Sequence, residues 1–168
     1  MSELITGIIS GIVASVVFYI FLLSVRPKIY VSAKVCKMGE DGEGTLIKIK
    51  VVNKTRCMLT NVKYALNFCR SSGECVHEIE NIPPCKRSLE FIDKYSKNDT
   101  NAEYAIRYSF KIPSQMDISK GWLEFSIHAV HGFSGTSACV KKEYMSADIE
   151  PGIFETGTSM RILAVPNS

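Results

Sequence analysis

The chain has 168 residues, of which 46% are apolar, 22% are charged and 10% are aromatic, and its formal net charge is +3. A chain of this length holds one ordinary domain, and the composition excludes disordered, collagen-like, coiled-coil and low-complexity proteins. The charges are unevenly divided, because residues 1–25 contain only Glu3, whereas residues 26–168 contain 20 basic and 16 acidic residues, a balance of 20 − 16 = +4.

An uncharged run of 22 residues, Leu4–Val25, begins almost at the N-terminus. As a helix rising ~1.5 Å per residue, it would extend roughly 33 Å, enough to cross a hydrocarbon core of about 30 Å. A cleaved signal peptide is the alternative, but such peptides have a basic start and a shorter apolar stretch. The sequence therefore predicts one transmembrane helix within residues 1–25, followed by a short stiff linker at residues 26–28.

Basic residues follow this run at once, with Arg26 and Lys28 beside it, whereas only Glu3 and the terminal amine precede it. Because Lys and Arg are retained on the cytoplasmic side of a membrane, we expect a single-pass protein whose soluble domain is cytoplasmic. Disulfides form in oxidising compartments, so the six cysteines are expected to be free thiols.

Small residues recur at helical spacing within the apolar run. In lipid, helices associate through close approach of their backbones, so this face predicts contact with another helix, although many anchors contain such residues without packing. The predicted packing face consists of Gly7, Gly11, Ala14 and Ser15. A second stripe without ionisable groups would line a narrow apolar pore in a bundle. That stripe consists of Thr6, Ser10, Val13 and Val17.

After the linker, short segments that alternate apolar and polar residues follow one another at intervals of roughly ten residues, the pattern of half-buried strands. The segments are Lys28–Cys36, Thr45–Val52, Val62–Cys69, Glu74–Ile79, Ser88–Ile92, Glu103–Ile112, Trp122–His131, Ser137–Met145 and Ser159–Val165. Only residues 114–120 suit a short helical turn. The pattern predicts an all-β domain over residues 29–168, an antiparallel β-sandwich that is immunoglobulin-like in general outline, with a flattened barrel as the alternative.

The sequence carries no motif that indicates catalysis, since it lacks a nucleophile elbow and a phosphate-binding loop between strand and helix. We therefore predict no enzyme and no cofactor. Two histidine arrangements have short spacings, His128-x-x-His131 and Cys75-x-His77. Strand periodicity puts His128 and His131 on opposite faces, and no Cys-x-x-Cys is present, so no metal site is predicted.

The segment from His131 to Ser137 joins two strong strands through two glycines and three hydroxyl residues. A plain hairpin turn is one interpretation. The other is a pocket in which amides and hydroxyls bind a phosphate and a ring stacks on a base. The candidate ligand residues here are His131, Phe133, Ser134 and Thr136. Basic residues on strands, expected to point to solvent, extend the candidate site: Lys48, Lys50, Lys141 and Lys142. A solvated face and attraction to anionic lipid are alternative roles for these lysines.

With the apolar run Leu4–Val25 first and a basic β domain after it, the chain resembles the small membrane effectors of bacterial anti-phage systems. Hailong effectors and the membrane effectors of type III CRISPR systems are of this kind. The resemblance covers the whole chain as architecture and transfers no binding residue. It implies an inner-membrane homo-oligomer, a tetramer, whose helices form a pore or disrupt the membrane.

The resemblance also implies what surrounds the protein. The signal would be an oligonucleotide or cyclic nucleotide bound by the cytoplasmic domain, and its source would be a nucleotidyltransferase partner. Membrane lipids would contact the helix. The alternative function is a membrane-tethered interaction module that scaffolds a protein partner and makes no pore. These two functions differ in whether a nucleotide binds the domain.

Overall fold

A computed structural model of the chain describes residues 2–71, 77–85, 90–97 and 101–164. In these parts, one long helix precedes a domain built of strands. The helix α1 spans Ser2–Ser24, and the strands are β1 Ile29–Val31, β2 Val35–Asp41, β3 Gly44–Asn53, β4 Leu59–Ser71, β5 His77–Ile82, β6 Ala105–Pro113, β7 Trp122–His131, β8 Ser137–Tyr144, β9 Ile149–Pro151, β10 Ile153–Phe154 and β11 Ile162–Leu163. Single turns of 3-10 helix occur at Ile118–Lys120 and Ser146–Asp148.

The predicted apolar run forms the helix α1. Its stretch Glu3–Leu22 has a mean hydropathy of 2.3, and none of it is buried against the rest of the protein. Among the described residues, α1 is the one helix that is both long enough and apolar enough to cross a membrane. Because the described part of the chain does not bury this stretch, the surface of the helix is available for lipid or for other helices.

The first sheet is organised around β3. Strand β6 pairs with it along one edge, and β1 and β2 pair with successive parts of its other edge. Strand β9 then joins the free edge of β2 in parallel, which departs from the predicted antiparallel arrangement. The chain reaches β9 by crossing over from the second sheet, and a crossover, unlike a hairpin, permits parallel pairing.

The second sheet has the order β5-β4-β7-β8, and all its pairs are antiparallel. Alternate residues of β7 are buried, as the period of a strand requires. Apolar residues of both sheets form one core between them. The ring of Phe110 in β6 lies 6.2 Å from that of Phe125 in β7, and Tyr64 and Tyr108 lie 4.0 Å apart. The domain is therefore mostly β, with a core enclosed by two sheets.

The predicted strand Lys28–Cys36 is broken in two, and the reason lies at Ser32. This buried residue donates its N–H to the carbonyl of Lys50, and its own carbonyl accepts a hydrogen bond from the Tyr144 hydroxyl at 2.7 Å. The chain bends there between β1 and β2 to satisfy partners in both sheets. The predicted pattern thus identified the segment but not its interruption.

Other boundaries differ near the C-terminus. The predicted strand Ser159–Val165 is reduced to the two residues of β11, and the short strands β9 and β10 were not predicted. Val165 and parts of the predicted segments Glu74–Ile79 and Ser88–Ile92 lie outside the described residues. The helical turn predicted within residues 114–120 is present as the 3-10 turn Ile118–Lys120.

Candidate functional site at the helix–domain junction

The turn between β7 and β8 contacts the end of helix α1. The carbonyl oxygen of Val25 lies 3.5 Å from the hydroxyl of Ser134 and 3.4 Å from that of Thr136, and it accepts a long hydrogen bond from whichever of the two does not donate to the other. The last carbonyls of a helix have no partner within the helix, so hydroxyls placed there cap it. The turn therefore forms a noncovalent contact between helix and domain, in addition to the linker at residues 26–28.

Hydrogen bonds within the turn hold it in this position. His131 donates its N–H to the carbonyl of Thr136 at 2.7 Å, and Gly135, with a φ of +69°, returns its N–H to the His131 carbonyl at 3.0 Å. The hydroxyls of Ser134 and Thr136 lie 2.8 Å apart. The segment is therefore a hairpin turn whose hydroxyls bond one another and the helix end.

His131 occupies a different position from the one its candidate role requires. Its side chain is only 3% exposed, and its Nδ1 accepts the Ser134 N–H at 3.1 Å and lies 3.0 Å from the Ser134 hydroxyl. A ring in this position cannot stack on a base from solution, so the expectation of stacking at His131 is corrected. Its neighbour Phe133 is 76% exposed and can make such a contact.

A cavity of about 390 Å³ opens beside the turn, between the linker and the connection from β3 to β4. Its basic lining comes from two distant parts of the sequence. The linker contributes Arg26 and Lys28, and the β3–β4 connection contributes Lys54 and Arg56. Backbone contacts hold the two parts together, since Lys54 donates its N–H to the carbonyl of Lys28 at 2.9 Å. Phe133 forms a further wall.

No family model matches this chain, and no curated protein matches it. The junction is therefore interpreted from its own geometry. Basic side chains around a cavity, with an exposed ring at its edge, suit an anionic partner that also offers apolar or flat surface. The cavity and the contact at the helix end share Phe133 and its turn, so a partner bound here would sit against the end of the helix.

The four candidate lysines of the sequence analysis do not line the cavity at the helix–domain junction. Lys48 and Lys50 lie on the face of β3 that points away from the core between the sheets, and Lys141 and Lys142 lie on β8 in the other sheet. The Lys141 ammonium pairs with Glu124 at 2.5 Å, and this hydrogen bond raises the pKa of Lys141. The eight candidate ligand residues therefore do not form one site.

Lys50 is the largest departure from expectation, because it is fully buried instead of pointing to solvent. The segment that connects β10 to β11 covers it, and its ammonium donates to the carbonyls of Glu155 at 2.5 Å and Ser159 at 2.6 Å. Desolvation, with a contribution from the charge of Arg107, lowers the pKa of Lys50 to about 8, and Glu155 opposes this shift. Lys50 thus anchors the C-terminal segment.

The helix carries a groove that contains much of the predicted packing face. Gly7, Gly11 and Ser15 line it, and Ala14 is exposed on the same helix outside it. The Ser15 hydroxyl donates to the Gly11 carbonyl at 2.9 Å, so its hydrogen bond is made within the helix. A Cβ atom added at Gly7 or Gly11 would meet nothing within 4 Å. Enlarging either glycine is therefore harmless to a single chain.

The predicted pore-lining stripe occupies another face of α1, since its members are offset from the glycines around the helix. Ser10 donates its hydroxyl to the Gly7 carbonyl at 3.1 Å, whereas Val13 and Val17 are exposed apolar residues. The stripe consists of Thr6, Ser10, Val13 and Val17, and none of these four residues lines the groove.

Among the residues that the structure describes, no group of three His, Cys, Asp or Glu side chains is placed to hold a metal ion. His128 and His131 lie on opposite faces of β7, as predicted. Cys75 lies outside the described residues, and the other five cysteines are free thiols. Cys85 and Cys139 are exposed, and burial raises the pKa of Cys36.

Proposed function

We propose that this chain is a membrane effector that self-associates through its helix and forms a pore under the control of its β domain. The contact of Ser134 and Thr136 with the carbonyl of Val25 carries the proposal. A change at the β7–β8 turn would reach the helix end through these two hydroxyls. The exposed groove of α1 supports assembly, because close approach of small residues is what packs helices in lipid.

The controlling signal in this proposal is an oligonucleotide or cyclic nucleotide. The surplus of 20 − 16 = +4 charges in residues 26–168 supports a polyanionic ligand. Lys48 remains a half-buried cation on the first sheet, whereas the burial of Lys50 removes it from this role.

We place the β domain on the cytoplasmic side of the inner membrane. The basic cluster at the helix exit supports this orientation, because Lys54 and Arg56 join Arg26 and Lys28 there. Basic residues close to a membrane helix are retained in the cytoplasm.

The proposal also includes the fold of the β domain. Two sheets around one core support an immunoglobulin-like arrangement in general outline.

Replacing Gly11 with isoleucine is expected to abolish self-association. The added side chain fits a single chain without contact, so its effect would arise only where two helices approach. The oligomeric mass of the full chain, measured by light scattering in detergent, should fall to that of the monomer. A tetramer is the expected wild-type assembly.

Ile9→Phe is the matched control, because it adds bulk to the same helix at a position that does not line the groove. This variant should keep the wild-type mass. If Gly11→Ile also keeps it, the groove does not hold the assembly together. A wild-type monomer would instead favour a tethered interaction module that forms no pore.

A further inference from the structure

The position of the β7–β8 turn fixes which part of the domain meets the membrane surface. The apolar run ends at Val25, and the carbonyl of that residue contacts the hydroxyls of Ser134 and Thr136. Phe133 directly precedes Ser134 in the chain and is 76% exposed. In a helix that crosses the bilayer, the turn and Phe133 must therefore lie at the level of the lipid headgroups.

Four basic side chains line the same cavity as Phe133: Arg26, Lys28, Lys54 and Arg56. All four residues are exposed, and none forms an ion pair with any carboxylate in the part of the chain that the structure describes. By contrast, Lys37, Lys111, Lys120 and Lys141 each have a carboxylate partner. Cations that the protein leaves unpaired at this level are available to an external anion.

Hydrogen bonds of the backbone hold the residues of this basic cluster next to one another. Lys28 donates its N–H to the Thr55 hydroxyl at 2.8 Å, and Lys54 donates its N–H to the Lys28 carbonyl at 2.9 Å. The Lys54 ammonium lies 4.5 Å from the centre of the Tyr30 ring. The linker and the β3–β4 connection therefore present their charges together around a cavity of about 390 Å³.

We propose that this junction surface, formed by Arg26, Lys28, Lys54, Arg56 and Phe133, binds the headgroups of anionic phospholipids in the leaflet from which the helix emerges. Basic side chains near a negatively charged membrane surface attract acidic lipid, and an aromatic ring is favoured at the interface. The lipid phosphates would occupy the cavity while Phe133 enters the acyl boundary. This inference goes beyond the proposed function and does not depend on nucleotide binding.

Fluorescence quenching by brominated lipid tests the proposal on the full chain in vesicles. Trp122→Phe removes the single native tryptophan, at the start of β7 and so at the opposite end of that strand from His131, and Phe133→Trp then places a reporter on the junction surface. We expect brominated phosphatidylglycerol to quench this tryptophan more strongly than brominated phosphatidylcholine at the same mole fraction. High salt should reduce the difference.

Removing two cations at once should remove most of the preference. Lys54→Gln with Arg56→Gln is expected to lower the enrichment of phosphatidylglycerol roughly thirtyfold, the effect of two basic side chains at an anionic surface. The matched control is Lys37→Gln with Lys120→Gln, which removes the same charge from residues that pair with Glu40 and Asp117. This control should keep the preference.

Three results would overturn the proposal. Equal quenching by the two lipids would show that the surface does not select acidic headgroups. Loss of the preference on adding inorganic phosphate, beyond the effect of chloride at equal ionic strength, would assign the cavity to free phosphate. Loss on adding an oligoadenylate at constant ionic strength would assign it to the nucleotide signal.

Discussion

Lys50→Ala should lower the free energy of unfolding of the β domain by about 3 kcal/mol, which corresponds to a fall in Tm of roughly 10 °C. The buried ammonium donates to the carbonyls of Glu155 and Ser159, and alanine would leave both carbonyls without this donor and vacate the space of the side chain. Thermal unfolding of the full chain in detergent, followed by circular dichroism, measures the effect.

Lys48→Ala is the control, since Lys48 lies on the same face of the same strand but is only half-buried. Its Tm should stay close to that of the wild type. Equal losses for the two variants would mean that Lys50 does not anchor the C-terminal segment. Protease digestion gives a second readout, because the segment between β10 and β11 should be cut sooner in Lys50→Ala.

The stabilising effect of Lys50 should also depend on pH. Its pKa is about 8 in the folded protein, below the ordinary 10.5, so the unfolded state binds more protons between these values. Stability then rises with pH across that window. The difference in unfolding free energy between wild type and Lys50→Ala should accordingly widen as the pH is raised from 8 towards 10.

Ser134→Ala combined with Thr136→Val should loosen the contact between the domain and the helix. The pair removes both hydroxyls from the Val25 carbonyl while nearly preserving side-chain shape. It also removes the contact of Ser134 with Nδ1 of His131. Because a hydrogen bond to the Val25 carbonyl contributes about 1 kcal/mol, we expect amide hydrogen exchange in the turn and at Val25 to become about fivefold faster.

Ser137→Ala is the matched control, since it removes an exposed hydroxyl at the first residue of β8. Exchange in that variant should match the wild type. If the double variant also matches it, the two hydroxyls do not hold the turn on the helix. The linker would then be left as the connection between the domain and helix α1.

Local patterns in the sequence predicted much of the fold. The uncharged run became helix α1, and the alternation in Trp122–His131 matched β7 at both ends. Such patterns depend only on neighbouring residues and on which face is buried. The break at Ser32 was missed because it depends on Lys50 and Tyr144, which are distant in the sequence.

The candidate site was harder to predict for the same physical reason. Alternation correctly put Lys50 on the outer face of β3, but a covering segment from the C-terminal part of the chain buries it there. The basic cluster at the helix exit arises because β1 pairs with the end of β3, Ile29 opposite Asn53. That register brings the linker beside Lys54, and nothing in the composition of either segment specifies it.

Release of dye from vesicles tests whether the full chain opens a membrane in response to a nucleotide. The purified chain is reconstituted into dye-filled vesicles, and cyclic and linear oligonucleotides, oligoadenylates among them, are added one at a time. We expect at least one of them to release dye from vesicles that contain the wild-type chain and none to do so with Gly11→Ile. Retention of dye with every oligonucleotide, by a wild-type chain shown to be oligomeric, would contradict a nucleotide-gated pore.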